Sequence, residues 1–292
     1  MLYDVSLTID YSYDNRAGTS RHIIRLLPAD LPGEQRLIAG TVSATPKADE
    51  WINRTDFFGN RLVEVAFFED HDDISFRAQS RVERYKAMDE LEMTPRVSAL
   101  GRDIATQTDL SALSPHHFVG PSPRVPLELA TTAYALERIK DDPSVLEAVA
   151  LIGAGLHRDL AYDPKATNVE TPMLTAFNGR HGVCQDFAHI MIACLRGVGI
   201  PSGYVSGFLR TVPPEGKPRL EGADAMHAWV RAWCGVERGW VEYDPTNAVF
   251  VDLDHIVIAR GRDYFDVAPV KGVLRTSGSH STKQAVDVVP VV

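Results

Sequence analysis

Cysteine is scarce in this chain: Cys184, Cys194 and Cys234 are the three thiols among 292 residues. So few, and an odd number, make no disulfide framework, and the expected setting is a reducing cytoplasm where a thiol stays a thiol. No apolar run approaches the ~20 residues of a membrane-spanning helix, so no membrane partner is expected. The start, Met1-Leu2-Tyr3-Asp4, has no basic stretch and runs straight into a strand pattern, without the marks of a signal peptide. Positive charge is in deficit, 30 Lys and Arg against 39 Asp and Glu, for a net charge of −9. With no basic run, nucleic acid is excluded as an expected partner. There is no Gly-x-Ser-x-Gly elbow for a serine hydrolase and no His-Glu-x-x-His for zinc. Gly153-Ala154-Gly155 lacks the later glycine and preceding strand of a dinucleotide loop.

What is present is ordinary globular composition, 45% hydrophobic, 24% charged and 8% aromatic. At this length folding removes roughly 75% of the unfolded chain's surface from water, enough for one large core or two modest ones. Tyr3, Val5, Leu7, Ile9, Tyr11 and Tyr13 alternate with polar residues, the period of a half-buried strand. Strand-like runs recur at His22–Leu27, Leu37–Val42, Arg61–Phe68 and Ile74–Val82. An N-terminal β-sandwich is expected over residues 1–88. Prolines crowd 89–130, a connecting segment with a short helix near Ser98–Thr106. Helical patterns begin at Leu127 and again at Pro143-Ser144. Phe187, Ile190, Met191, Cys194, Leu195 and Val198 then give one apolar helix face, ended by Gly197, Gly199 and Pro201. Strands return at Tyr204–Thr211, Ala225–Cys234, Gly239–Asp244 and His255–Ala259. Residues 131–292 are expected to form an α+β domain, helices packed on an antiparallel sheet.

Three segments carry chemistry. Cys184 stands where a glycine turn, Gly182-Val183, meets the head of the clearest helix. Free N–H groups and the helix dipole there favour a thiolate and can hold an oxyanion. Asp186 opposes this with a nearby negative charge, so a histidine partner is needed. His227, in Ala225-Met226-His227-Ala228-Trp229, and Asp244, in Trp240-Val241-Glu242-Tyr243-Asp244-Pro245, lie on two runs that read as a hairpin. A turn centred between Gly235 and Val236 sets them directly opposite, Cβ atoms ~5 Å apart. The carboxylate would then accept the imidazole Nδ1–H and fix the tautomer. The reading is Cys184 as nucleophile, His227 as general base then acid, and Asp244 as orienting carboxylate, for acyl transfer through a thioester.

Each residue has a plainer reading. A free cysteine is often a small core hydrophobe, and Cys194 and Cys234, on apolar faces, are read that way. His227 alone would be a structural histidine, and Asp244 before Pro245 a turn residue. Gln185 and Asp186 either shape substrate binding or cap the helix. Trp229, Trp233 and Trp240 wall a groove or pack across strands. His181, Cys184 and His189 have no zinc-site spacing, and no metal or organic cofactor is expected.

Gly-Val-Cys-Gln-Asp-Phe-Ala-His, Gly-Ile-Pro with Tyr204-Val205-Ser206-Gly207, His-Ala-Trp and Asp-Pro-Thr-Asn together resemble the bacterial transglutaminase-like family. Tyr162-Asp163-Pro164 with Thr167, and Gly261-Arg262-Asp263-Tyr264, extend the likeness over roughly residues 140–275. Asp56-Phe57-Phe58-Gly59-Asn60 resembles the β module that precedes the core in such proteins. The resemblance implies a papain-like cysteine-protease fold with Cys184, His227 and Asp244 in the triad positions. The turn between the two triad strands is about a residue longer than the family pattern. The implied activity is acyl transfer or hydrolysis at an amide of a peptide or protein substrate. The alternative is an inactive module of the same fold that binds a peptide or protein.

Overall fold

The structure, a computed structural model, describes residues 1–86, 93–211 and 224–291. β1 (Leu2–Ala17) buries Tyr3, Val5, Leu7 and Ile9 and turns their polar neighbours outward, as its period of two requires. β2 (Ser20–Ile24), β3 (Gln35–Thr45), β4 (Glu50–Thr55), β5 (Arg61–Phe67) and β6 (His71–Arg84) follow. Of these, β4 has no counterpart among the expected strands. Its Glu-Trp-Ile-Asn-Arg-Thr does not alternate, and it lies largely exposed at a sheet edge, where little burial selects the sequence.

The second half opens with α1 (Leu100–Thr106), α2 (Leu129–Arg138) and α3 (Val145–Asp159). The Ser144 hydroxyl caps α3 by accepting the Glu147 N–H at 3.3 Å. The short parallel pair β7 (Ala161–Tyr162) and β8 (His181–Gly182) flanks α4 (Met173–Gly179) and leads into α5 (Cys184–Gly197). Then come β9 (Ser202–Leu209), β10 (Ala225–Trp233), β11 (Trp240–Asp244), β12 (Val249–Phe250) and β13 (His255–Gly261). They form an antiparallel sheet in the order β12-β11-β10-β9-β13.

Only one apolar face was expected of α5, but Gln185 to Arg196 are buried all round. α2, α3 and α4 cover one side and the β9–β10 sheet the other. Its polar side chains are matched inside. The Arg196 guanidinium donates to the carbonyls of Ser202, Gly120 and Arg262 and to the Ser122 hydroxyl, and burial pulls its pKa down to about 10.

α6 (Tyr264–Val267) precedes β14 (Val270–Leu274) and β15 (His280–Pro290), and these two strands leave the C-terminal sheet. β14 pairs with β2 and β15 with β1. Among the described residues the N-terminal sheets are therefore β15-β1-β6-β3 and β14-β2-β5-β4. Their inner faces meet where His22 of β2 sets its ring against Phe76 of β6 at 5.7 Å. A division into residues 1–88 and 131–292 thus needs correction at its far end: the last strands complete the N-terminal sandwich. The boundary at 88 lies outside the described residues. β15 reads poorly as a strand because its first half is polar and exposed, and a partner more than 250 residues away leaves no local mark.

The sandwich also closes the free edge of β13. Gln35 accepts the Val257 N–H at 2.9 Å through Oε1 and donates to the Val257 carbonyl at 2.8 Å through Nε2. Asn60 does the same to Arg260, at 2.8 Å in both directions. Two side-chain amides stand in for a neighbouring strand, matching groups that an open edge would leave to water. The Asp56 carboxylate holds the Asn60 turn by accepting the N–H groups of Phe58 and Asn60, each at 3.0 Å.

Candidate active site

Gly182 is required where the chain enters α5: a Cβ there would come within 2.6 Å of Asp186 Oδ2. Asp186 turns back over that glycine, accepting the Val183 N–H at 2.9 Å and the Thr167 hydroxyl at 2.5 Å. Burial raises its pKa against these two donors. Its charge is therefore held within the turn and its ionisation is disfavoured, which mutes the opposition to a thiolate expected from sequence. Asp186 is a helix cap. Cys184, the first residue of α5, is partly exposed, whereas Cys194 and Cys234 are buried. Burial pushes both of those thiols up to about 12.

His227 stands between Cys184 and Asp244. Its Nε2 is 2.7 Å from Asp244 Oδ2, and Cys184 lies against the same ring. Burial disfavours the imidazolium. The hydrogen bond to Asp244, hydrogen bonding and charge at Cys184, and the Asp244 charge together outweigh it, raising the pKa to about 10. The structure thus brings Cys184, His227 and Asp244 together, with two corrections. The nitrogen facing the carboxylate is Nε2, not Nδ1, so Nδ1 is the one left for Cys184. The hairpin register also differs: β10 and β11 pair Val230 with Tyr243 and Trp233 with Trp240, the turn closing at Cys234 and Gly239. Continued, that register sets Asp244 opposite Trp229, two residues from His227. A two-residue slip keeps every side chain on its face, so His227 still reaches Asp244, on the diagonal.

Asp244 is fully buried and saturated. Oδ2 accepts from His227, from Asn247 Nδ2 at 2.6 Å and from His255 Nε2 at 3.2 Å. Oδ1 accepts the N–H groups of Thr246 at 2.9 Å and Asn247 at 3.3 Å. Burial favours the neutral acid, but these donors, His227 first, hold the carboxyl far below its ordinary range. His255 and Asn247 escape sequence reading. Asn247 stands in the quoted Asp-Pro-Thr-Asn motif, and that is its signal. His255 opens an expected strand, and nothing local marks its direction.

Trp229 and Trp233 are buried packing residues, and Trp229 forms a floor. Its ring meets His255 edge-on at 5.2 Å and its N–H donates to Glu242 at 2.8 Å. Gly207 makes room for it: a Cβ there would overlap the Trp229 ring and the Ile256 carbonyl. Gly207→Ala is expected to destabilise the fold by about 1–3 kcal/mol, read from urea-unfolding midpoints, because β9 is clamped between β10 and β13. Glu242 in turn accepts from Arg260, which also pairs with Glu34 of the sandwich.

His189, weighed as a metal ligand with His181 and Cys184, is a core residue. Its Nε2 accepts the Tyr264 N–H at 3.2 Å, and burial lowers its pKa to about 3. Ligand atoms of His227, Asp244 and His255 lie within 4.8 Å of one another, elements that suit a divalent cation, but both imidazole N–H groups already point at Oδ2.

The chain belongs to the bacterial transglutaminase-like family. Residues 131–245 match the model described as the transglutaminase-like superfamily, and residues 3–83 match the bacterial transglutaminase-like N-terminal region. An uncharacterized protein of Mycobacterium leprae is 31% identical over 284 residues, 95% of each chain. One of Mycobacterium tuberculosis is 40% identical over 165 residues, 55% of this chain and 52% of its own length, so this match spans about half of that relative. A crystal structure of a candidate cysteine protease from Cytophaga hutchinsonii superposes with a TM-score of 0.74 at 22% identity, over 99% of this chain and 90% of that one. The fold is a transglutaminase-like cysteine-protease fold, α+β, with antiparallel sheets.

Proposed function

We propose that Cys184, His227 and Asp244 form the catalytic triad of a thiol-dependent enzyme acting on an amide of a peptide or protein. The observation that carries this reading is the imidazole of His227 held between a buried carboxylate, at 2.7 Å, and the cysteine that heads α5. The Cys184 thiolate attacks the amide carbonyl, forming a C–S bond. Backbone N–H groups of the first turn of α5 are the available donors for the oxyanion. The His227 imidazolium gives its Nδ1 proton to the departing amine as the C–N bond breaks, leaving a thioester. Water, or a second amine, then attacks the thioester. His227 takes the proton of that nucleophile and returns it to the sulfur, releasing an acid or a new amide. Asp244 keeps Nε2 protonated throughout, which leaves Nδ1 as the base. Hydrolysis is the proposed outcome, water being always at hand, and no cofactor enters the scheme. Three unpaired thiols suit a reducing cytoplasm, the proposed compartment.

Iodoacetamide near neutral pH should label Cys184 much faster than Cys194 and Cys234. Equal, slow labelling of all three would sink the enzymatic reading and favour a binding module. A peptide-amide library incubated with and without a primary amine, read by mass spectrometry, then separates cleavage, deamidation and amine incorporation.

A further inference from the structure

The triad has a fourth member in contact with it that the scheme above leaves idle. His255, the first residue of β13, is buried, and its Nε2 lies 3.2 Å from Asp244 Oδ2, the same oxygen that accepts from His227. An ionised carboxylate only accepts, so His255 Nε2 carries a proton. In the neutral ring Nδ1 is then an acceptor, and among the described residues it is buried with no hydrogen-bond partner. A residue needed only to pack against Trp229 would avoid this: an apolar ring of similar size fills the space and leaves no polar atom unmatched. What the imidazole adds is the N–H on Asp244.

Among the described residues the other side-chain donor to Oδ2, besides His227, is Asn247, which is exposed and lies in the same turn, three residues after Asp244. His255 comes from a different strand. That strand is gripped at Val257 by Gln35 and at Arg260 by Asn60, and the ring rests on Trp229, itself fully buried. We propose that His255 is a positioning residue: its Nε2–H fixes the aim of Asp244 Oδ2, and through it the orientation of the His227 imidazole against Cys184. The N-terminal sandwich, by holding β13, thereby becomes part of what orders the reaction centre. The inference rests on the triad reading.

The test compares His255→Phe and His255→Gln in the full chain, measuring the rate of Cys184 alkylation by iodoacetamide and the thermal unfolding midpoint. Phenylalanine keeps the ring and loses the donor, so alkylation should fall about tenfold, the effect of one charge-assisted hydrogen bond. Glutamine places an amide N–H near the original Nε2, so its rate should return to within about threefold of the parent. Both variants change the packing, so a purely structural role would make the rate follow the unfolding midpoint instead. A His255→Phe rate within about threefold of the parent, or a His255→Gln rate as low as that of His255→Phe, overturns the proposal. If His255→Phe does not fold, His255→Asn, whose amide is too short to reach Oδ2, takes its place with the same expectation. A parent protein whose Cys184 reacts no faster than Cys194 and Cys234 takes down the triad reading and this one together. A fast parent with an indifferent His255→Phe takes down this one alone.

Discussion

Replacing His227 by alanine is expected to lower amide turnover by about 10³–10⁴-fold and to slow the labelling of Cys184 by iodoacetamide. In the proposed scheme the imidazole is the one group that both accepts the thiol proton and passes it to the leaving amine, so its loss would remove both half-steps. Backbone donors at the head of α5 would survive and leave a residual rate above that of water. The same substitution has a signature in stability. In the folded chain His227 keeps its proton up to about pH 10, against an ordinary value of about 6.5. Its contribution is therefore fully present below about pH 6.5 and is lost as the pH rises towards 10. Urea midpoints of the parent should decline across that window, and those of His227→Ala should lack this part of the decline. A parent midpoint that holds level from pH 7 to 10 would contradict the ion pair.

Asp244→Asn should cost about as much activity, about 10⁴-fold, through the tautomer rather than the loss of a group. Oδ1 must stay an acceptor for the N–H groups of Thr246 and Asn247, so the new amide NH₂ falls where Oδ2 was. It then faces the Nε2–H groups of His227 and His255. His227 relieves that clash by moving its proton to Nδ1, the nitrogen that must be the base. Asp244→Ala is the harsher change for the fold, about 3–5 kcal/mol by denaturant titration, since it strands buried donors around the vacated site. The carboxyl is depressed in the folded chain, so its contribution is present above about pH 4 and fades as the pH falls further. The stability gap between parent and Asp244→Ala should hold steady from about pH 5 to 6, narrow in acid as the carboxyl takes up its proton, and narrow again above about pH 6.5 as the His227 pairing is lost.

Legibility from sequence followed the range of the forces involved. The alternation in β1 and the glycine turn before Cys184 are local, set by side-chain geometry and backbone sterics within a few residues. The pairing of His227 with Asp244 was reached through a register that proves to be two residues out. The two side chains still meet because parity, not register, decides the face of a strand. The choice of Nε2 over Nδ1 turns on where the ring sits above Trp229, a contact with no counterpart in spacing. The tryptophans show the same limit. An alternating strand suggests one wet face, yet Trp229 is covered through Val205 and Val257 by Ala29 and Leu31 of the sandwich. Burial of that face is decided nearly 200 residues away.

From the order of residues alone came the family resemblance, the α+β class, and the candidates Cys184, His227 and Asp244, each at a helix head or on a strand face that short-range periodicity defines. Folding in three dimensions decided which ring nitrogen meets the carboxylate. It also placed a second imidazole on the same oxygen, carried the last two strands back into the N-terminal sandwich, and set two side-chain amides of that sandwich on the open edge of β13. Those are meetings of surfaces far apart along the chain, selected by packing and by the need to match buried polar groups, and no local pattern encodes them.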